Sequence, residues 1–469
     1  MLRLPFLSRN DESPASKGKA TMRKLVVVVT ASLLVATGVA ASQQANSCQA
    51  ERSSEGATRA QLPQQGRLQV GEYVRATIDS PHPYAGLSTT RAQLIYSREI
   101  YHPGATYIAP HFSRFELAEG SYVIVRSPDF SRSWRYEGYG KQEYGKKGNG
   151  GFWGIHISGE KAHIELWAKG PAPAYGFSID RYGRGFTPAE MGQDDSSTES
   201  ICTADDKENA VCYETSEPAI YNESRAVVRL LISGSFLCTG WLLGDEGHMM
   251  TNEHCITTQT DAANTDYEFM AEGANCSTDC PQLGCDGTIE ATSGTLIQDS
   301  AVLDYALVKL PGNLSSTYGF MQFRGTGAVL EERIYSPQHP GGRGKEIAVV
   351  STYPANPSGF GEVDSLTETA CSGGSSPDVG YFLDTEGGSS GSPVLGYGDN
   401  LVVSLHHCRG SASCNTGTSF DDPNRGVAVP LLITDLGANL PNNAIGSGEE
   451  IFADGFESGD VSAWSSSVP

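Results

Sequence analysis

The stretch from 384 to 394, DTEGGSSGSPV, has the residue types that a nucleophilic serine requires. Ser390 lies among small residues, with Gly388 and Ser389 before it and Gly391 after it. Glycine tolerates positive φ and carries no Cβ, so the segment can turn sharply and bring its backbone close to a ligand. A serine nucleophile needs an exposed Oγ and nearby N–H groups directed at the developing oxyanion. By itself, however, the pattern is more typical of an ordinary Gly/Ser-rich hairpin loop.

Two stretches upstream contain the other groups that acyl-transfer chemistry needs. SFLCTGWLLGDEGHMMTNEHCI (235–256) contains the pair His254-Cys255, and DYALVKL (304–310) begins with Asp304. Together with GGSSGSP, these stretches resemble the histidine, aspartate and nucleophile motifs of the chymotrypsin-like serine proteases. The three residues also follow one another in the chymotrypsin order.

The resemblance implies a role for each of these residues. Ser390 Oγ would attack the peptide carbonyl, and His254 would take its proton and pass it to the leaving amine. Asp304 would hold the imidazole tautomer and stabilise the imidazolium. The backbone N–H groups of Gly388 and Ser390 would form the oxyanion hole. This chemistry needs no metal and no organic cofactor.

Neighbouring residues offer alternatives or depart from the family pattern. Asp299 is a second candidate acid, and Ser389 and Ser392 are second candidate nucleophiles, but none of them holds the motif position. Asn252-Glu253 replaces the Ala-Ala or Ala-His that the family commonly has before the histidine, and Glu253 would add a charge beside the base. Ser389 stands where chymotrypsin-like zymogens carry an aspartate. The switch that pairs that aspartate with a new N-terminal ammonium therefore cannot operate here.

Two further segments are similar to the bacterial lysyl endopeptidases, namely IYSPQHPGGRGKEIAVVS (334–351) and LVVSLHHCRGSASC (401–414). The resemblance covers about 201–435, with a weaker similarity of 107–169 to the N-terminal propeptide domain of those enzymes. The glutamyl endopeptidases, with their own G-x-S-G-S-P loop and T-N-x-H motif, are the nearest alternative.

The lysyl endopeptidases recognise the substrate ammonium through an aspartate downstream of the last cysteine, at a fixed spacing before a valine. Asp422 has that spacing to Val427, so the resemblance implies cleavage after lysine or arginine. Asp421 is an adjacent alternative. His406 and His407 are expected to form walls of the substrate cleft. Because His407 replaces a usual glycine, it could narrow the pocket or, if protonated, favour glutamate.

Composition and charge set the broad class. The chain has 469 residues, and its Gly 54, Pro 24 and Tyr 20, with few long helical periodicities, favour an all-β protein of two or three domains. The net charge of −22 argues against nucleic acid or an anionic membrane as a partner. We therefore expect no stable membrane association; a monomer is also expected, and the protease resemblance implies protein or peptide substrates.

A secretory signal peptide is predicted at about 22–41. Arg23-Lys24 forms its basic region, 25–36 its apolar core, and Val39-Ala40-Ala41 a small-residue cleavage site. The apolar core is too short for a membrane span. The 11 cysteines agree with export to an oxidising compartment, so we expect a secreted, extracellular protein.

The cysteines predict a set of disulfides. The histidine motif implies Cys238–Cys255, and the lysyl endopeptidase resemblance implies Cys202–Cys414 and a bond from Cys212 to one of three downstream cysteines. Those three are Cys276, Cys280 and Cys285. Cys371–Cys408 is a further possible bridge, without a motif to support it. The spacing of the three downstream cysteines would also suit a metal site, but a secreted chain without a matching histidine cluster favours disulfides.

The predicted organisation has four parts: an extension with the signal peptide (1–41), a β-sandwich or jelly-roll propeptide-like domain (42–195), a trypsin-like domain (196–440) and an acidic, aromatic tail (441–469). Recurrent strand patterns such as SYVIVRSPDF, in which Tyr122 and Ile124 are the alternating apolar residues, and AHIELWAKG, separated by glycine-rich turns, indicate the sandwich. The polar segment 188–200 is a linker in which a protease could cut.

The sequence thus predicts an all-β protein in which a two-barrel chymotrypsin-like domain follows a β-sandwich. The expected function is that of a secreted serine endopeptidase made as a zymogen. Two alternatives remain. One is glutamyl-type specificity. The other is a catalytically inactive homologue that acts as a binding protein.

Overall fold

The structure is a computed structural model that describes residues 67–191, 201, 203–354, 356, 358–371, 377–409 and 422–446. The expected signal peptide, Cys48, Cys202, Cys414, Asp421, most of the expected linker and the C-terminal tail lie outside these residues. No helix in the described ranges has the length and apolar character needed to cross a bilayer.

Strands of the N-terminal region form two sheets. The strands are β1 (Leu68–Gln69), β2 (Gly71–Asp79), β3 (Gln93–Tyr101), β4 (Tyr107–Glu116), β5 (Tyr122–Arg126), β6 (Ser133–Glu137), β7 (Phe152–Trp153), β8 (Ile157–Ser158), β9 (Lys161–Ala168) and β10 (Gly176–Gly185). One sheet has the order β2-β10-β4-β7 with β8 beside β4, and the other has the order β3-β9-β5-β6. Buried side chains of both sheets share one core, which confirms the β-sandwich.

The inward face of β5 differs from the expected one. The sequence pattern placed Tyr122 and Ile124 on the alternating apolar face, whereas Val123 and Val125 are the fully buried residues. Tyr122 instead stacks on Trp167 with ring centroids 6.0 Å apart. Since both faces of β5 carry apolar residues, alternation alone could not tell which face is the core.

The remaining strands build two larger sheets, which are antiparallel except for two short parallel pairings. They are β11 (Glu208–Asn209), β12 (Val227–Ile232), β13 (Phe236–Leu243), β14 (His248–Thr251), β15 (Thr265–Phe269), β16 (Thr288–Ala291), β17 (Thr295–Ser300), β18 (Tyr305–Lys309), β19 (Phe323–Arg324), β20 (Ile334–Gln338), β21 (Glu346–Ala348), β22 (Val363–Glu368), β23 (Asp378–Tyr381), β24 (Pro393–Gly396), β25 (Val402–Cys408), β26 (Asn424–Ala428) and β27 (Ile445–Gly446).

Helices are few and short. They are α1 (Pro188–Met191), α2 (Tyr213–Ser216), α3 (Pro218–Ser224), α4 (Gln259–Ala263), α5 (Ser315–Tyr318) and α6 (Val429–Leu436), with 3-10 turns at Gln142–Gly145, Ala210–Cys212, Pro340–Gly342 and Gly437–Asn439. Pro430 lies in the first turn of α6 and Gly437 follows its end, as helix start and stop signals predict.

The first large sheet has the order β16-β15-β12-β13-β14-β18-β17, and the second has the order β11-β21-β20-β24-β25-β26-β23-β22. One continuous core cluster contains residues from both sheets, among them Trp241 and Leu405. The loop after β14 and the start of β18 belong to the first sheet, and the loop before β24 belongs to the second. The residues expected to do chemistry therefore come from both sheets, as a two-barrel protease domain requires.

Four disulfides join described cysteines: Cys212–Cys276, Cys238–Cys255, Cys280–Cys285 and Cys371–Cys408. The expected Cys238–Cys255 and Cys371–Cys408 bonds are confirmed. Among the three partners left open for Cys212, the structure selects Cys276. Cys280 and Cys285 pair with each other. The closely spaced cysteines that could also have suited a metal site are therefore all in disulfides.

Polar groups buried between the N-terminal sandwich and the first large sheet hold the two together. Glu268 on β15 accepts hydrogen bonds from Arg229 at 2.8 and 3.0 Å and from Arg132 of the sandwich. The neighbouring Asp266 accepts from both the backbone N–H and the Nδ1 of His156, each at 2.8 Å. Breaking such a buried set leaves charges unpaired, so this interface resists separation.

Candidate active site

His254 is held by Asp304 at two points. Its Nδ1 lies 2.8 Å from Asp304 Oδ2, and its backbone N–H donates to Asp304 Oδ1 at 2.9 Å. One carboxylate therefore fixes both the ring and the loop that carries it. An imidazole whose Nδ1–H faces a carboxylate keeps Nε2 available for proton transfer. The geometry is that expected of a catalytic base and its orienting acid.

Asp304 is fixed by backbone geometry as well as by its partners. It has φ of 49° immediately before β18, a conformation that is uncommon for a residue other than glycine. The Nδ2 of Asn252 donates to its carbonyl at 2.9 Å. Burial alone would raise the pKa of Asp304, but His254 and His407 outweigh it and hold that pKa well below its ordinary value. The side chain is therefore a carboxylate at all ordinary pH values.

The loop that carries Ser390 is anchored on β13. Thr239 donates from its N–H to Ser390 O at 2.9 Å and from its Oγ1 to Gly388 O at 2.8 Å. Gly388 and Gly391 have φ of 97° and 89°. A Cβ on Gly391 would lie 2.2 Å from Thr239 O, so only glycine fits there. The loop is thus a tight, fixed turn of the kind expected around a nucleophile.

The two N–H groups expected to form the oxyanion hole have no acceptor within the described part of the chain. Three neighbouring N–H groups are used, since Ser389 donates to Glu386 O, Gly391 to His406 O and Ser392 to Ser389 O, each at 2.9 Å. Those of Gly388 and Ser390 make no such bond. Two unused donors beside a serine are what oxyanion stabilisation requires.

Ser389 replaces a charged zymogen residue with a neutral hydrogen bond. It is fully buried, donates from Oγ to Gln338 Oε1 at 2.5 Å and accepts from the N–H of Glu386 at 3.1 Å. The start of the nucleophile loop is also held from the segment that follows the expected linker, since Asp206 N–H donates to Asp384 Oδ2 at 2.7 Å. These contacts order the loop without a free N-terminal ammonium.

His254 and Ser390 are not hydrogen-bonded in this structure. His254 Nε2 is shielded from solvent and has no hydrogen-bond partner among the described residues. The two loops are nonetheless adjacent, because the Sγ of Cys255 lies 3.9 Å from Ser390 O. Hydrogen bonds between catalytic groups are often long before substrate binds, so this arrangement is compatible with a base awaiting its partner.

His406 and His407, which are expected to form walls of the substrate cleft, are both buried in this structure. His406 Nδ1 pairs with the hydroxyl of Tyr381 at 2.7 Å. His407 Nδ1 lies 3.3 Å from Asp304 Oδ2, and its Nε2 lies 2.8 Å from Asp378 Oδ2. Two flanking carboxylates draw the His407 ring inward, which a resemblance to a family with glycine at this position could not show.

Asp422, the expected specificity residue, lies just before β26 and pairs with the guanidinium of Arg425. Arg425 is largely buried and also lies 3.7 Å from Glu368 and 3.6 Å from the Sγ of Cys371. A substrate cation bound at Asp422 would therefore share the carboxylate with Arg425. No motif in the sequence predicted this pairing.

The segment that enters β2 lies across the candidate site. Arg67 donates from Nε to His254 O at 2.9 Å and pairs with Asp261 at 2.9 and 3.1 Å. Leu68 lies against the nucleophile loop, since a Cβ built on Gly387 would be 3.1 Å from its Cδ1. Nothing in the sequence distinguished Arg67 or Leu68 as close to the site. Their position depends on pairing between segments far apart in the chain.

Two groups of side chains have the elements of a metal site but not the free donors. Cys371, Asp378, His407 and Cys408 lie within 4.8 Å of one another, as do Cys238, His254 and Cys255. In both groups the cysteines are joined as disulfides, so no thiolate remains to bind a metal. The donor set therefore does not suggest a metal centre at either place.

Comparisons with known proteins agree with this geometry. The family profile described as lysyl endopeptidase, C-terminal domain, matches residues 202–423. This part of the chain is therefore a domain of the chymotrypsin-like serine proteases, near the lysyl endopeptidase branch. It is 44% identical over 378 residues to the secreted RxLR effector protein 73 of Plasmopara viticola, a match that covers 76% of this chain and 86% of that relative.

Solved structures similar to the chain are distant. An HtrA-type protease, AlgW with a tripeptide, is 15% identical over 46% of this chain with a TM-score of 0.34, and the chain spans only 62% of its length. A serine endoprotease from Yersinia pestis is 14% identical over 47% of this chain and 65% of its own length, with a TM-score of 0.33. No function is inferred from similarities at this level.

Proposed function

We propose that the protein is a secreted serine endopeptidase that uses Ser390, His254 and Asp304. The observation that carries the proposal is the doubly held His254–Asp304 pair beside a nucleophile loop with two unused N–H donors. Peptides and proteins are its substrates. Its disulfides, and its similarity to a protein whose name describes a secreted effector, support an extracellular site of action.

The chemistry proceeds by acyl transfer. Ser390 Oγ attacks the peptide carbonyl while His254 Nε2 takes its proton, and the oxyanion forms against the N–H groups of Gly388 and Ser390. His254 then protonates the leaving amine, and a water molecule activated by the same base releases the acyl group. Asp304 remains ionised throughout and stabilises the imidazolium.

The N-terminal sandwich acts as a propeptide that covers the site. One edge of β13 has two partners. β14 pairs with its Trp241–Leu243 part, and β1 pairs with Phe236 and Leu237 farther along the same edge. An extended substrate reaching Ser390 would add to that sheet edge. β1 therefore competes with substrate for backbone hydrogen bonds. Cutting within 188–200 alone leaves β1 in place, because the buried Glu268 contacts still hold the sandwich.

We propose that Asp422 gives the enzyme its specificity for lysine or arginine. In the uncut protein its carboxylate is paired with the guanidinium of Arg425. A substrate ammonium would take over one carboxylate oxygen through a charge-assisted hydrogen bond. If Arg425 rather than Asp422 faces the substrate, its guanidinium would pair with a substrate carboxylate, and the enzyme would cleave after glutamate. Profiling with a peptide library distinguishes these two specificities.

The proposed activity is tested by serine substitution. Ser390→Ala should reduce hydrolysis of a peptide ester by on the order of 10⁶-fold without altering the circular dichroism spectrum. Ser392→Ala, which changes a neighbouring buried hydroxyl, is the matched control and should keep a large part of the rate. If Ser390→Ala hydrolyses the ester as the parent protein does, the nucleophile is assigned wrongly. If the parent protein shows no hydrolysis after removal of the sandwich, the chain is instead a binding protein.

A further inference from the structure

A single imidazole lies between two buried carboxylates behind the candidate triad. His407 is 1% exposed, Asp378 3% and Asp304 9%. His407 Nδ1 lies 3.3 Å from Asp304 Oδ2, the same oxygen that faces His254 Nδ1 at 2.8 Å. His407 Nε2 lies 2.8 Å from Asp378 Oδ2. We call Asp304, His407 and Asp378 the acid–histidine–acid cluster.

The cluster is held from both sides by covalent and backbone contacts. Asp378 Oδ2 also accepts the N–H of Cys371 at 3.1 Å, and Cys371 is bonded to Cys408, the residue after His407. The Cys371–Cys408 disulfide therefore connects the loop that binds Asp378 to the strand that carries His407. The position of the imidazole between its two carboxylates is fixed by this connection.

The hydrogen-bonding pattern sets the charge of His407. An ionised carboxylate only accepts hydrogen bonds, and a neutral imidazole has one donor and one acceptor. Since both ring nitrogens face carboxylate oxygens, both contacts are hydrogen bonds only when the ring carries two protons. Burial lowers the pKa of His407, but Asp304 and Asp378 outweigh it and raise that pKa to about 9. The cluster thus has two negative charges and one positive charge.

We propose that His407 is a positioning residue which, held by Asp378, donates to Asp304 and weakens the pull of that carboxylate on the His254 proton. This inference rests on the proposed serine protease function. Without the positive charge, the negative charge of Asp304, which contacts His254, and that of Asp378 beyond the His407 ring would act on His254 with no cation to offset them. With it, the cluster presents the single net negative charge that an orienting acid supplies. His254 is then available as a neutral base at lower pH.

Several other charged groups lie near the acid–histidine–acid cluster, on the elements that pack against it. Asp304 and His254 belong to the first large sheet, and Glu253 lies beside them. Asp378 begins β23, and Arg425 on β26 reaches the disulfide. Burial raises the pKa of Glu253, and the charge of Asp304 raises it further.

The test measures how fast a fluorophosphonate labels Ser390 of the full chain as a function of pH. His407→Gln keeps a hydrogen-bond donor but loses the charge. In this variant the acid limb of the labelling rate plotted against pH should move up by about one pH unit. In His407→Lys, which keeps a positive charge, the limb should stay close to that of the parent. His248→Gln, a histidine change on β14 away from the cluster, is the matched control and should leave the midpoint unmoved.

A measurement without a change in the cluster guards against misfolding of these variants. Nitrogen-15 NMR of the Ser390→Ala protein should show the His407 ring doubly protonated at pH 7 and losing its second proton only near pH 9. A neutral His407 ring at pH 7, or equal acid limbs in His407→Gln and the parent, would overturn the inference. Absence of any labelling in the parent protein would count against the proposed function instead.

Discussion

Leu68 is the cross-strand partner of Leu237, and its side chain lies against the glycines that precede Ser390. A single residue of the N-terminal segment thus contacts both the sheet edge where substrate would pair and the loop that would bind its carbonyl. Arg67, one residue earlier, donates to the carbonyl of His254. This short segment links the proposed propeptide to every part of the proposed active site.

Loosening the segment should expose the site in the uncut protein. Leu68→Ala combined with Arg67→Ala removes the apolar contact with Gly387 and the ion pair with Asp261, and should raise the rate of fluorophosphonate labelling roughly tenfold or more. Gln69→Ala is the control, because the Gln69 side chain bonds only locally, to Gly71 O at 2.8 Å. Equal labelling of the parent and the double variant would mean that β1 does not restrict access.

The specificity proposal predicts opposite effects at two paired residues. Asp422→Asn should lower kcat/KM for substrates with lysine or arginine before the cleaved bond by about 10- to 100-fold, the loss expected for one hydrogen bond to a charged group. Arg425→Gln should raise it, because the Asp422 carboxylate would no longer be shared. A glutamate preference that is unchanged in Asp422→Asn and lost in Arg425→Gln would reverse the assignment.

The turn around the nucleophile should be intolerant of even one methyl group. Gly391→Ala would place a Cβ 2.2 Å from Thr239 O and 2.4 Å from Thr251 Oγ1 at a φ of 89°. We expect a loss of about 1–3 kcal/mol in the free energy of unfolding and a larger loss of activity. Gly398→Ala is the matched control, since a Cβ there meets no heavy atom within 4 Å. Similar urea midpoints for the two variants would contradict the described turn.

Protonation of His407 should make stability depend on alkaline pH. Its pKa is raised from 6.5 to about 9 in the folded protein, so the stabilisation is complete below pH 6.5 and is lost as the pH rises through about 9. The free energy of unfolding of the Ser390→Ala protein should therefore fall by up to about 3 kcal/mol across this window. In His407→Gln the free energy of unfolding should change much less over the same pH range. Urea denaturation at several pH values measures both, and parallel curves would contradict the assigned charge.

Local motifs were sufficient to predict the fold class and the grouping of the main residues. His254-Cys255 and the glycine-rich turn at Ser390 are short-range patterns, and strand alternation indicated the sandwich. The positions of Asp378 and Arg67 could not be predicted, because each depends on pairing between distant segments. The two carboxylates that flank His407 also come from segments distant in the chain. The family resemblance places His407 on a strand, but the orientation of its ring depends on the carboxylates of Asp304 and Asp378.

The central claim is that Ser390 is a nucleophile activated by His254. The most direct measurement is labelling with a fluorophosphonate probe, followed by mass spectrometry of the proteolytic fragments. We predict a single adduct on the fragment 384–394, located at Ser390, absent after Ser390→Ala and strongly slowed by His254→Ala. An adduct at Ser389 or Ser392, or no adduct once the sandwich has been removed, would contradict the claim.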